Sequence, residues 1–160
     1  MSVLTFRKRS RIRASAEAVF RWHAEPGALE RLTPPWEPLR IVSRSGGLED
    51  GARVAFRVGP LGLLWVAEHR DVIPGRGFRD VQVRGPFRRW EHTHRFIPDG
   101  ADACCLEDEI VYEFPLGWLG RLLAGRFVRR KLERLFDYRH RLTAETLEPT
   151  LLEPPAVARG

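Results

Sequence analysis

Long apolar runs are missing from this chain of 160 residues, and none approaches the ~20 residues that a helix needs to span a membrane. Cysteine is scarce. Only Cys104 and Cys105 occur, and neighbours on a strand point to opposite faces, so they are poorly placed to bridge each other. A disulfide framework is not implied, and a reducing cytoplasm is the expected setting. Lysine is nearly absent too: apart from Lys8 and Lys131, all 27 basic residues are arginine. The N-terminal cations Arg7, Lys8, Arg9, Arg11 and Arg13 have no apolar stretch beside them, so no signal peptide is read there. The formal charge of +6 raises the question of an anionic partner. Because the arginines are scattered over almost every element, solvated faces account for them better, and nucleic acid is not expected as a partner.

Two motif classes are missing as well. No serine lies in a nucleophile-elbow context. The glycines at 46, 47, 59, 62, 75 and 77 precede neither a helix start nor a lysine, so they are turn residues rather than a phosphate loop.

What is present is a clear order of elements. Residues 3–13 read as a strand. Ser15 offers an N-cap for a short amphipathic helix over 16–24, and Pro26 opens a second short helix through Leu32, stopped by Pro34 and Pro35. From Leu39 onward, turn signals recur at short intervals: Gly46-Gly47, Asp50-Gly51, Gly59-Pro60, Pro74-Gly75, Gly85-Pro86 and Asp99-Gly100. They separate strand-like runs at 39–43, 52–58, 63–73, 77–84, 87–97 and 103–114, joined as an antiparallel meander. Leu116 to Leu147 then reads as one long helix. Its apolar stripe is expected to include Trp118, Leu119, Leu122, Leu123, Phe127, Val128, Leu132, Leu135, Phe136 and Leu142, with a basic opposite face. Residues 1–147 form one domain, and 148–160, rich in proline, form a flexible tail.

The expected fold is α+β. A curved seven-stranded antiparallel sheet wraps on the C-terminal helix, with two short helices between the first two strands. Strand alternation then assigns an inner wall. Trp65, Phe78, Trp90, Phe96 and Tyr112 interleave there with His69, Asp80, Gln82, His92, His94 and Asp108. Buried polar groups need partners. These can form a self-satisfied His–Asp network, orient the polar end of a ligand, or perform acid–base chemistry. His92 and His94 stand two apart on one strand face, and His69 or an aspartate can be imagined as a third zinc ligand. No third ligand is fixed by the sequence, so no metal and no cofactor is assigned.

This layout resembles the helix-grip fold of the START/Bet v 1-like (SRPBCC) superfamily over residues 3–146. The run Trp65 to Phe96, WVAEHRDVIPGRGFRDVQVRGPFRRWEHTHRF, is similar to a bacterial cyclase/dehydrase-type subgroup whose members mostly lack an assigned activity. The resemblance implies an internal cavity for an apolar or amphipathic small molecule, lipid-like or aromatic. It implies, as an alternative, a polyketide cyclase- or dehydratase-like enzyme working through a His–Asp pair. A third expectation is a module that places its basic surface on RNA or a membrane. The binding role leads, and catalysis is left open.

Overall fold

The computed structural model describes residues 3–149. Strand β1 (Val3–Ile12) is followed by helices α1 (Ala16–Ala24) and α2 (Ala28–Arg31). Six strands come next: β2 (Leu39–Ser45), β3 (Arg53–Val58), β4 (Leu63–Ile73), β5 (Gly77–Arg84), β6 (Arg89–Pro98) and β7 (Cys104–Glu113). Helix α3 (Gly117–Leu147) is the last of the described elements. The expected tail lies, beyond Pro149, outside the described residues. All seven strands form one antiparallel sheet in the order β1-β7-β6-β5-β4-β3-β2. The meander is therefore completed by the first strand pairing with the last, Phe6 opposite Ile110 and Lys8 opposite Asp108.

Local chemistry explains the helix starts. Ser15 accepts a hydrogen bond from the Ala18 amide at 3.2 Å, as an N-cap should. In α3, the expected wide apolar stripe is only partly used. Leu132 and Phe136 are buried, but Trp118, Leu122, Leu123 and Phe127 are 72, 72, 74 and 65% exposed. The line of α3 that does face the protein begins with small residues, Gly117, Gly120 and Ala124, before Val128 and Leu132. At Gly120 a Cβ would stand 2.7 Å from Phe114 Cβ, so the absent side chain lets the backbone approach. A helix lying that close turns its larger residues outward.

Two apolar clusters fill the concave side. One lies under α1 and contains Ile12, Val19, Phe78, Phe96, Cys104 and Leu106. The other lies under α3 and contains Phe6, Ile110, Tyr112, Phe114, Leu132 and Phe136. On the convex side, arginines and glutamates pair across and along strands. Arg9 and Arg95 both reach Glu107, and Arg53 and Arg70 both reach Glu68. Much of the arginine surplus is thus spent on neighbouring carboxylates.

Candidate functional site: a histidine–aspartate network beside an aromatic wall

Between the two apolar clusters lies a polar seam that gathers all five histidines of the chain. Strand register builds it. Asp80 on β5 is opposite both His69 on β4 and His92 on β6, while His94 is opposite Phe78 on β5 and Asp108 on β7. Inward-facing positions two apart on each strand therefore converge. Asp108 is the hub. His92 Nε2 donates to its Oδ1 at 2.7 Å, and His140 Nε2, arriving from α3, donates to its Oδ2 at 2.7 Å. His94 Nδ1 lies 2.9 Å from Asp108 Oδ1. That contact is off the line of a hydrogen bond and acts as a charge pair. On its other side His94 Nε2 donates to Asp80 Oδ2 at 3.0 Å, and His69 Nδ1 donates to Asp80 Oδ1 at 2.6 Å. The chain of contacts ends at Ser10, whose Oγ is 2.8 Å from His140 Nδ1.

The electrostatics follow from this geometry. Burial alone would lower the His94 pKa, but the Asp108 and Asp80 carboxylates outweigh it and hold it up at about 9. His92 goes the other way. Burial and the neighbouring His94 charge push it down to about 4, so at neutral pH it is an uncharged donor to Asp108. Burial also pushes His23 down to about 4, with its Nδ1 2.8 Å from the Val19 carbonyl. Burial works against the ionised forms of Asp80 and Asp108, yet their histidine partners hold both below the usual carboxylate range. Arg139 is half-buried beside them with Nε donating to the Leu32 carbonyl at 3.0 Å. The His94 imidazolium and the Arg139 guanidinium face the two carboxylates, the pairing that a buried ionic cluster requires.

The expected inner-wall residues separate into three groups. Phe78 and Phe96 are solid core: the Phe78 ring stacks on His94 with centroids 4.1 Å apart, and Phe96 is fully buried. His92, His94 and Asp108 form the seam and are each at most 6% exposed. The third group borders open space. Trp65 and Trp90 are half-buried and meet edge to face with centroids 5.0 Å apart, while Tyr112, 5.7 Å from Trp90, is buried behind them. His69 and Asp80 stand at the junction, with side chains 19 and 24% exposed. Gln82 faces the same side, but its amide is engaged. Nε2 donates to the Phe87 carbonyl at 2.8 Å and Oε1 accepts from the Phe87 amide at 3.3 Å, clamping the β5–β6 turn.

Helix α3 packs chiefly along β1 and β7, and α1 along β6 and β7. The inner face of β3 to β5 is left less covered, and Phe56, stacked on Trp65 at 6.0 Å, extends the aromatic wall across it. A hollow lies beside α1 among Phe20, Arg21, Pro74 and Arg76, away from this wall.

Sequence reasoning missed His140, Arg139, Phe56 and Phe87. His140 had a signal: it stands four residues after Phe136 and eight after Leu132, on the buried line of α3. Asp80, His92 and His94 offer ligand atoms all within 4.8 Å of one another. His92 Nε2 and His94 Nε2 each already donate to a carboxylate, so a metal ion would have to displace those protons.

A curved antiparallel sheet gripping a C-terminal helix, with a polar seam and an aromatic wall on its concave side, defines a helix-grip protein. The chain belongs to the polyketide cyclase / dehydrase and lipid transport family, whose model matches residues 12–137. It is similar to the nucleoside-diphosphate sugar epimerase from Corynebacterium glutamicum, at 28% identity and TM-score 0.68 over 89% of this chain. It spans only 29% of that longer chain. It is also similar in fold to a START superfamily protein from Mycobacterium smegmatis, at 15% identity and TM-score 0.65, covering 89% of this chain and 96% of that one. Norcoclaurine synthase from Thalictrum flavum, in complex with dopamine and hydroxybenzaldehyde, matches at 17% identity and TM-score 0.65, covering 89 and 87%. A comparison with curated proteins finds no match. Among the described residues no helix is long and apolar enough to cross a membrane.

Proposed function

We propose that the chain binds an apolar or amphipathic small molecule, lipid-like or aromatic, against the wall formed by Phe56, Trp65, Trp90 and Tyr112. The observation that carries this reading is the incomplete cover of that wall: the rings of Phe56, Trp65 and Trp90 are left half-buried where the helix does not reach, with buried Tyr112 behind them. Aromatic side chains provide much contact area with little ordering cost, and a few polar groups at one end fix orientation. His69 and Asp80 are the polar groups nearest the open side. His94, paired behind with Asp108, joins His69 in holding Asp80 ionised and oriented. The family's description includes lipid transport, and the norcoclaurine synthase relative holds two aromatic molecules, which agrees with a ligand of this chemistry. Two unpaired cysteines fit a cytoplasmic setting, and Cys104, pushed up to about 11 by burial, stays a thiol there.

One observation favours a second reading, acid–base catalysis. His69 donates Nδ1–H to Asp80, which fixes its tautomer and leaves Nε2 as the basic nitrogen. Such a dyad beside a shaped apolar surface suits a cyclisation or dehydration. Native mass spectrometry of freshly purified protein tests the first reading: a co-purifying small molecule whose occupancy falls in Trp90→Ala supports it. Protein that carries nothing and takes up neither fatty acids nor hydroxylated aromatics refutes it. Turnover of a bound molecule that is lost in His69→Gln, with binding retained, would move the assignment to catalysis.

A further inference from the structure

We infer that the outward face of the first half of α3 docks on an anionic lipid surface. Leu119, Leu122, Leu123, Arg126, Phe127 and Arg130 follow one another at spacings of three, one, three, one and three, which places them on a single face about 17 Å long. The apolar members are exposed: Leu122 and Leu123 by 72 and 74%, and Phe127 by 65%, with Trp118 at the flank by 72%. Four neighbouring large apolar side chains left in water on one helix face call for a partner.

Charge identifies that partner. No acidic residue lies between Glu113 and Glu133, while Arg121, Arg126, Arg129, Arg130 and Lys131 do. Many basic residues on the sheet are paired, as Arg9, Arg53 and Arg95 are with Glu107 or Glu68. Arg126 and Arg130 join no ion pair and no side-chain hydrogen bond among the described residues. Leucines and phenylalanine bracketed by free guanidinium groups suit hydrocarbon beneath phosphate. A nucleic acid would engage the arginines and leave Leu122, Leu123 and Phe127 in water. A second copy laid on the same face would set Arg126 and Arg130 against the same two unpaired cations. Only an anionic bilayer uses both halves of the pattern. The inference stands on the outward face of α3 and is independent of what the aromatic wall binds.

The test is co-sedimentation of the full chain with phosphatidylcholine vesicles, with and without phosphatidylglycerol. The variants are Leu122→Ser/Leu123→Ser and Arg126→Gln/Arg130→Gln. All four side chains are exposed, so circular dichroism and the thermal midpoint should match the parent. Binding to phosphatidylglycerol vesicles that weakens with salt is expected. The leucine pair should abolish it, and the arginine pair should weaken it by roughly twentyfold and flatten its salt dependence. No binding to anionic vesicles, or equal binding by parent and both variants, overturns the inference. So does heparin retention without vesicle binding, which would point to a nucleic acid. A dimer that the leucine pair dissolves, again without vesicle binding, would point to self-association and overturn it equally.

Discussion

Replacing Asp108 by asparagine removes the charge at the hub of the buried seam while keeping its shape. In the parent, the His94 imidazolium is faced by Asp108 from β7, Asp80 from β5, His92 on its own strand, His23 from α1 and Arg139 from α3. Its folded pKa of about 9 lies above the ordinary value of 6.5. A raised pKa contributes stability that is fully present below the unfolded value and is lost as pH rises through the folded one. Here the window runs from about 6.5 to about 9, and the contribution is roughly 3 kcal/mol. In Asp108→Asn, His94 keeps only Asp80, and the His92 and His140 donors meet a neutral carbonyl or an amide. At pH 6 the loss should be about 3–5 kcal/mol, the usual result of breaking a buried pair from one side. By pH 10, where parent His94 is neutral, the loss should shrink toward that of a hydrogen bond to a neutral acceptor, roughly 1–2 kcal/mol. Urea unfolding of both proteins at pH 6, 8 and 10 measures this. The parent's His94 ring protons, followed by NMR, give its midpoint even if the variant does not fold. A loss that stays constant across that range, or a parent His94 titrating near 6.5, would refute the assignment of the imidazolium to His94.

The acid side has the opposite sign. His23 and His92 are both held at about 4, so parent stability should fall by several kcal/mol as pH drops from about 6.5 to 4, seen as a declining urea midpoint. At Gly77 a Cβ would stand 2.3 Å from the His94 carbonyl oxygen, so Gly77→Ala should lower stability by about 1–3 kcal/mol in thermal unfolding. Two glycines of α3 should respond in opposite directions: Gly120→Ala collides with Phe114 and destabilises, whereas Gly125→Ala meets only the Arg121 stem at 3.5 Å and should stabilise by roughly 0.5–1 kcal/mol. Zinc added near neutral pH should leave the His92 and His94 ring signals unchanged; stoichiometric uptake that shifts both would show instead that the Asp80, His92 and His94 set is a metal site.

The period-two pattern of the strands made their faces readable before any coordinates. Cys104, Leu106, Asp108, Ile110 and Tyr112 could be assigned inward, and they are buried. Turn residues placed the strand ends within a residue or two, because glycine and proline punctuate the meander. Pairing partners were not legible. Which carboxylate serves which imidazole depends on register, and the extra residue at Val83, where Ala67 pairs with Gln82 and Val66 with Arg84, cannot be counted from composition. The long helix misled for a physical reason. Summing large apolar residues points to Trp118, Leu122 and Leu123, yet the buried line runs through Gly120 and Ala124 and then to the polar His140 and Thr143. Close approach and hydrogen bonding decide the buried face of this helix, and hydropathy registers neither.

The pairing of the first strand with the last has a consequence for the chain as it is made. Arg7 finds Glu109, a partner 102 residues further on. At about 5–20 residues per second, β1 must wait roughly 5–20 s after it emerges before its neighbour exists. During that interval its backbone donors and acceptors are open to any passing strand. Arg7, Lys8, Arg9, Arg11 and Arg13 put a cation at nearly every other position of the waiting segment, so two such nascent chains repel rather than zip together. The same side chains later close on Glu109, Asp137, Glu107, Asp99 and Glu148, changing from guards of the unfinished chain into ties of the finished one.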